Sequence, residues 1–116
     1  GEQTRSFMFI DDCLIGTKKV FESNTTEVFN LGSDEQVSIN QMIGMIEDIS
    51  DYKISKNYLL DKPKGVRGRS SDNTKIKENI NWAPNITLKS GLEKTYKWIY
   101  DQISSGDNSQ RFTKSY

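Results

Sequence analysis

The chain has 116 residues, one cysteine and no histidine, and its 16 basic residues balance 16 acidic ones. This is enough for one modest core, and it excludes a disulfide scaffold, a Cys/His zinc site and a histidine-dependent triad. The absence of net charge argues against a whole-surface field for nucleic acid or an anionic membrane, and no apolar run approaches the ~18 residues of a membrane span.

The first element is "TRSFMFI" (4–10), short and rich in aromatic and β-branched residues, which predicts a strand. Asp11 or Asp12 is then placed to cap a helix. Ile10, Cys13, Leu14, Thr17 and Phe21 follow helical spacing, so the stripe they form is expected to face the core. Cys13 is thereby read as a small buried residue rather than a nucleophile. "EVFNLGS" (27–33) predicts a second strand, closed by Gly32.

"VSINQM" (37–42) carries the clearest start signal: Ser38 caps, Gln41 returns the bond, and Val37 and Met42 form a hydrophobic staple. Ile39, Met42, Ile43, Ile46 and Ile49 then share a face. "KISKNYLL" (53–60) alternates in part and predicts a third strand. Tyr52 and Lys56 match Tyr-x-x-x-Lys. The match straddles a helix end and a strand start, where the two side chains lose their common face, so it is read as chance.

Residues 61–69 hold Lys62, Lys64, Arg67 and Arg69 against Asp61, a local charge of +3 within a neutral chain. Inside this run, "GVRGRSSDN" (65–73) sets arginines among glycines just before a helix start. Arginine offers a planar, permanently charged fork for phosphate oxygens, and glycine lets backbone approach the same anion. "QTRS" (3–6) supplies another arginine beside amide and hydroxyl groups. A diphosphate gripped by Arg5 from one side and Arg69 from the other is the site these residues suggest.

Asp72 or Ser71 caps a short helix running to about Ile80, and "NWAPN" (81–85) is a turn with an aromatic anchor. Thr87 starts a last helix, about 88–103, whose Leu88, Leu92, Tyr96, Ile99 and Ile103 lie on one side. The helices 38–49 and 88–103 are both expected to face the sheet, burying Ile43, Ile46, Leu92 and Ile99. Trp82 and Trp98 are both read as core anchors. From Ser104 the chain turns polar and is read as a tail. The order predicts a small mixed α/β domain of about three strands and four helices over 1–103, with a polar tail at 104–116. No GxGxxG or Walker sequence is present, so this segment itself is expected to bind no dinucleotide. The start "GEQTRS" is no signal peptide and reads as a cut end; with the lone thiol, this gives the expectation of a cytoplasmic protein.

The frame of strand-Asp-Asp-helix, Asn-Leu-Gly-Ser, arginine loop, Asn-Trp-Ala-Pro and a final Gly-Leu helix resembles the extended short-chain dehydrogenase/reductase family. These are the sugar-nucleotide epimerases and dehydratases, and the likeness is to their C-terminal lobe, over residues 1 to about 103. "QTRSF", "GSDEQVS" and "GVRGRSSDN" are most similar to the GDP-mannose 3,5-epimerase branch.

The resemblance implies a homodimeric parent whose N-terminal Rossmann domain binds NAD and carries the catalytic groups. That parent would oxidise a sugar at C4, invert C3 and C5 and reduce the ketone again. Here it implies the grip on a nucleotide sugar such as GDP-mannose: Gln3, Thr4 and Arg5 on a substrate-contacting stretch, Arg69 on the diphosphate. Arg67 has no role assigned. A further family contact lies in the tail, where "NSQRFTKSY" departs from the pattern and Ser115 is a candidate only. Two alternatives stay open: a related 4-epimerase or 4,6-dehydratase, and a stand-alone non-catalytic module.

Overall fold

The computed structural model describes residues 1–63 and 65–105; Lys64 and the candidate Ser115 lie outside the described residues, as does the expected tail from 106 onward. Chain order is β1 (Thr4–Ser6), α1 (Ile10–Glu22), β2 (Gln36–Ser38), α2 (Ile39–Ser50), α3 (Thr74–Ile80) and α4 (Leu88–Ser104). The architecture is mixed α/β, with four helices around one two-stranded antiparallel sheet among the described residues. Register sets Thr4 opposite Ser38, Arg5 opposite Val37 and Ser6 opposite Gln36.

Two of the three expected strands do not form as read. Residues 27–33 and 53–60 find no partner strand among the described residues and so form no regular structure. The ladder uses Gln36–Ser38 instead.

Local start signals hold where they were clear. Ser38 Oγ accepts from the Gln41 N–H at 3.1 Å, and Gln41 Oε1 accepts from the Ser38 N–H at 2.7 Å, a complete capping box. Thr87 Oγ1 accepts from the Ser90 N–H, and Glu35 reaches across from before β2 to accept from the Leu88 N–H at 2.9 Å. Helix α4 therefore has two of its free N-terminal donors satisfied.

The core is thin. Among the described residues Val37, Ile76, Trp82 and Leu88 are the buried hydrophobic ones, and only Ile76 is fully enclosed. Trp82 lies against Gly16 of α1, where an added Cβ would stand 2.7 Å from its ring. Helices α2 and α4 pack on each other rather than both onto the sheet, which is too short to cover two helices. Ile43, Ile46, Leu92 and Ile99 are accordingly half-buried, not enclosed as expected.

The stripe of α1 is inverted relative to expectation. Ile10, Leu14 and Phe21 are 58, 61 and 84% exposed, while Asp12 and Gly16 form the buried side; Cys13 is half-buried. Trp82 is a core anchor, but Trp98 is 56% exposed on α4 and is not. Asp12 is no helix cap either. Helix α1 starts after Phe9 with no side-chain cap, and the buried Asp12 carboxylate accepts from the N–H groups of Asn85 (3.0 Å) and Ile86 (2.8 Å). It fastens the Asn-Trp-Ala-Pro turn and so seats Trp82. No helix of the described residues is long and apolar enough to cross a membrane.

Candidate functional site

The segment 65–73 has no secondary structure, yet backbone bonds hold it at both ends. At its start, the Thr4 N–H donates to the Arg67 carbonyl at 2.9 Å, so the loop occupies the edge of β1 that β2 leaves free. At its end, the Ser71 N–H donates to the Ser33 carbonyl at 3.1 Å, and Asn73 Nδ2 donates to the Gly32 carbonyl at 2.9 Å. The stretch expected as a second strand therefore serves as the loop's dock.

Two glycines are required by this geometry. Gly65 has φ +65°, a left-handed turn that a side chain would strain. Gly68 approaches Thr4 so closely that an added Cβ would lie 2.6 Å from Thr4 Oγ1.

Helix α3 follows directly. Asp72 Oδ1 accepts from the Thr74 N–H at 2.9 Å, and that bond holds the carboxyl below its ordinary value, as expected for a residue at a helix start. Asn73, the residue before the helix, turns its side chain to Gly32 instead.

Between the two anchors, Arg67 and Arg69 are exposed, and neither guanidinium has a hydrogen bond or ion pair among the described residues. Fixed backbone with two free forks is a surface for an oxyanion.

Beside the loop runs a groove of about 1170 Å³. Gln3, Asn40, Tyr58, Lys56, Lys62 and Arg67 supply polar groups to it, and Ile43, Ile54 and Leu60 apolar surface. Its far wall is the irregular segment 53–60, fastened to α2 by Glu47. The Glu47 carboxylate accepts from the Ile54 N–H at 2.9 Å and faces Lys53 and Lys56 at 3.7 and 3.9 Å. The Ile54 bond first, and the two lysines after it, hold its carboxyl below the ordinary 4.5. Tyr58 Oη donates to Asn40 Oδ1 at 2.9 Å, and Asn40 Nδ2 donates to Glu2 at 2.7 Å, closing one end.

The four residues singled out in the sequence fare differently. Gln3 lines the groove. Thr4 uses its hydroxyl on Gln36 (3.2 Å) and its N–H on the loop. Arg5 Nη1 donates to the carbonyls of Thr4 and Val66, at 2.6 and 3.0 Å. Arg69 has no partner among the described residues, and Arg67, which had no assigned role, is the arginine that lines the groove. Asn40 and Tyr58 were not singled out; they stand far apart in sequence from the arginines, and no local pattern marks them. Tyr52 and Lys56 share no helix: Tyr52 is 76% exposed, and Lys56 faces Glu47.

No family model matches the chain. Individual proteins do. GDP-mannose 3,5-epimerase of Arabidopsis thaliana is 48% identical over 103 residues, which are 89% of this chain and 27% of that protein. The structure of UDP-glucuronic acid 4-epimerase from Bacillus cereus, in complex with UDP-glucuronic acid and NAD, superposes with a TM-score of 0.79 at 36% identity, covering 87% of this chain and 33% of that one. UDP-glucose 4-epimerase from Thermotoga maritima, with UDP-glucose, gives 0.83 at 28% identity over 89% and 33% of the two chains. The chain thus spans about a quarter of the length of the curated relatives it matches first. By sequence and by fold it is homologous to a segment of the sugar-nucleotide epimerases of the extended short-chain dehydrogenase/reductase family.

Proposed function

We propose that this chain is the nucleotide-sugar-binding, C-terminal part of an NAD-dependent sugar-nucleotide epimerase of the GDP-mannose 3,5-epimerase kind, and that its arginine loop holds the substrate's diphosphate. One observation carries the reading: a loop anchored at both ends carries two arginines that are unpartnered among the described residues, Arg67 lining a large groove and Arg69 exposed two residues beyond it. A diphosphate bears about two negative charges, and a hydrogen bond to a charged group contributes on the order of 1.5–3 kcal/mol. In this reading Arg69 is the principal phosphate ligand. Gln3 and Arg67 line the route for the rest of the nucleotide, and Thr4 and Arg5 complete the stretch beside it.

NAD has no cradle in this chain, which lacks a glycine-rich phosphate loop. The residues here do not fit the cofactor, so no step is derived through it. In the proposal it belongs to an upstream Rossmann domain, where its nicotinamide would accept and return hydride. The exposed face of α1 formed by Ile10, Leu14 and Phe21 is the surface we assign to that domain. Inactivity of the chain by itself follows. The related 4-epimerases stay as the second reading, supported by the 36% identity to the Bacillus cereus enzyme.

Titration of GDP-mannose into the chain, followed by amide NMR shifts, tests the grip. Arg69→Ala should weaken binding at least about tenfold, roughly 1.4 kcal/mol, and Arg69→Lys should weaken it less. If Arg67→Ala abolished binding while Arg69→Ala left it intact, the ligand would be reassigned within the same loop. If neither mattered, the loop would be a solvated turn. The coding sequence upstream of Gly1 tests the rest: a glycine-rich strand-loop-helix and a helical Tyr-x-x-x-Lys support the enzyme, and a stop codon followed by a start methionine overturns it.

A further inference from the structure

The far end of the arginine loop is held by three ties within three residues. The Ser71 N–H donates to the carbonyl of the buried Ser33 at 3.1 Å, and the Asn73 side chain makes the other two. Asn73 Nδ2 donates to the Gly32 carbonyl at 2.9 Å, and Asn73 Oδ1 accepts from Ser71 Oγ at 2.8 Å. One amide thus spends its donor on the dock and its acceptor on the loop. Gly32 lets the two segments close to contact, since an added Cβ there would stand 2.7 Å from Ser71 Cβ. Asn73 holds the position from which asparagine ordinarily caps a helix, yet its side chain makes no cap bond; Asp72 takes the Thr74 N–H instead. Three residues on, Ile76 is the fully enclosed side chain of the core, so the tie is rooted in the most fixed part of α3. Arg69 stands two residues before Ser71.

We infer that Asn73 is a positioning residue: its amide fastens the end of the arginine loop to the Gly32–Ser33 turn and so fixes where Arg69 presents its guanidinium. The inference rests on the diphosphate reading of the loop and adds the group that aims its principal ligand. The chemistry suits a primary amide. The Gly32 carbonyl takes a donor and the Ser71 hydroxyl an acceptor, and asparagine offers both from one short, neutral side chain. A serine caps a helix as well as asparagine does, but its single oxygen stands one bond nearer the backbone and cannot occupy both positions that the amide fills.

Amide exchange of the ligand-free chain and titration of GDP, both on Asn73→Ser, test this. The Ser71 amide should exchange at least about tenfold faster, while those of Lys77 and Asn81, bonded within and at the end of α3, stay within about twofold. The Thr4 amide, bonded at the other end of the loop, should also keep its rate. GDP affinity should fall at least about threefold, and in an Arg69→Ala background the same change should add less than about 1.5-fold, because no Arg69 is left to misplace. Asn73→Gln, which keeps both donor and acceptor, should fall between the two in both measurements and serves as the milder variant if Asn73→Ser does not fold.

An unmoved Ser71 amide would overturn the inference. Amides of α3 speeding up together with it would do the same, by making Asn73 a helix-start residue. An equal loss of GDP affinity with and without Arg69 would overturn it too, because Asn73 would then act on the anion by another route. If Arg69→Ala itself left GDP affinity unchanged, the diphosphate reading would fail and the inference with it; faster Ser71 exchange beside that result would place the failure in the reading and not in the tie.

Discussion

The arginine loop and the segment 53–60 are equally irregular and border the same groove, yet different forces hold them. The loop is fastened by backbone groups: Thr4 to Arg67 at one end and Ser71 to Ser33 at the other. The 53–60 wall is attached to α2 through side chains: the Glu47 carboxylate, with Lys53 and Lys56 beside it, holds its start, and the Tyr58–Asn40 bond its far end. Backbone bonds at fixed positions define geometry to within a bond's tolerance and do not titrate. A carboxylate does titrate, and its lysines are screened by salt. The side of the groove proposed to hold the diphosphate is therefore the rigid one, and the opposite side is the adjustable one. A site that must aim two guanidiniums needs the first kind of support.

The contrast can be broken most strongly at Gly32. An added Cβ would lie 2.7 Å from Ser71 Cβ, where neither the dock nor the loop has a long side chain to swing away. Gly32→Ala should destabilise the chain by about 1–3 kcal/mol, the usual cost of overpacking, and should release 71–73 while leaving 53–60 attached. Thermal melts and amide exchange read both. Gly65→Ala comes next: forcing a side chain into its left-handed backbone should cost about 1 kcal/mol and disturb only the loop entrance.

Acid should act on the other side. The Glu47 carboxyl is held below 4.5 by the Ile54 N–H and the two lysines, so its contribution is fully present above that value. It is lost as pH falls through the lowered folded value. Exchange of amides 53–60 should therefore rise in that acid range, and Glu47→Gln should shift this response away, while the bonds at 65–67, which involve no titrating carboxyl, should not follow. The smallest effect belongs to Lys53. Its side chain is 83% exposed, with the amine 3.7 Å from Glu47, so Lys53→Ala should leave melts and exchange nearly unchanged, as solvated pairs do.

What the sequence disclosed follows the range of the interactions. The Ser38–Gln41 box spans three residues and is visible as a pattern, as are the helix start at Thr87 and the arginines among glycines. The strand-like composition of 27–33 and the partial alternation of 53–60 were misleading, because a strand exists only with a partner and no local pattern names the partner. Asp12 binds N–H groups 73 and 74 residues away, so its position beside a helix start suggested capping when its work is at the opposite turn. The stripe of α1 has helical spacing, but spacing fixes only that apolar residues share a face, not that the face is covered. Arg5 was visible as an arginine near a strand. Its attachment to Val66 was not, since 61 residues intervene.

The most direct test of the account follows the arginine side chains themselves. In a titration of GDP into the chain labelled with ¹⁵N, the Nε–Hε signals of Arg67 and Arg69 should shift most, saturating together with the loop amides. Saturable shifts confined to the 53–60 segment, with Arg67 and Arg69 unmoved, would contradict the claim that this anchored loop is the phosphate grip.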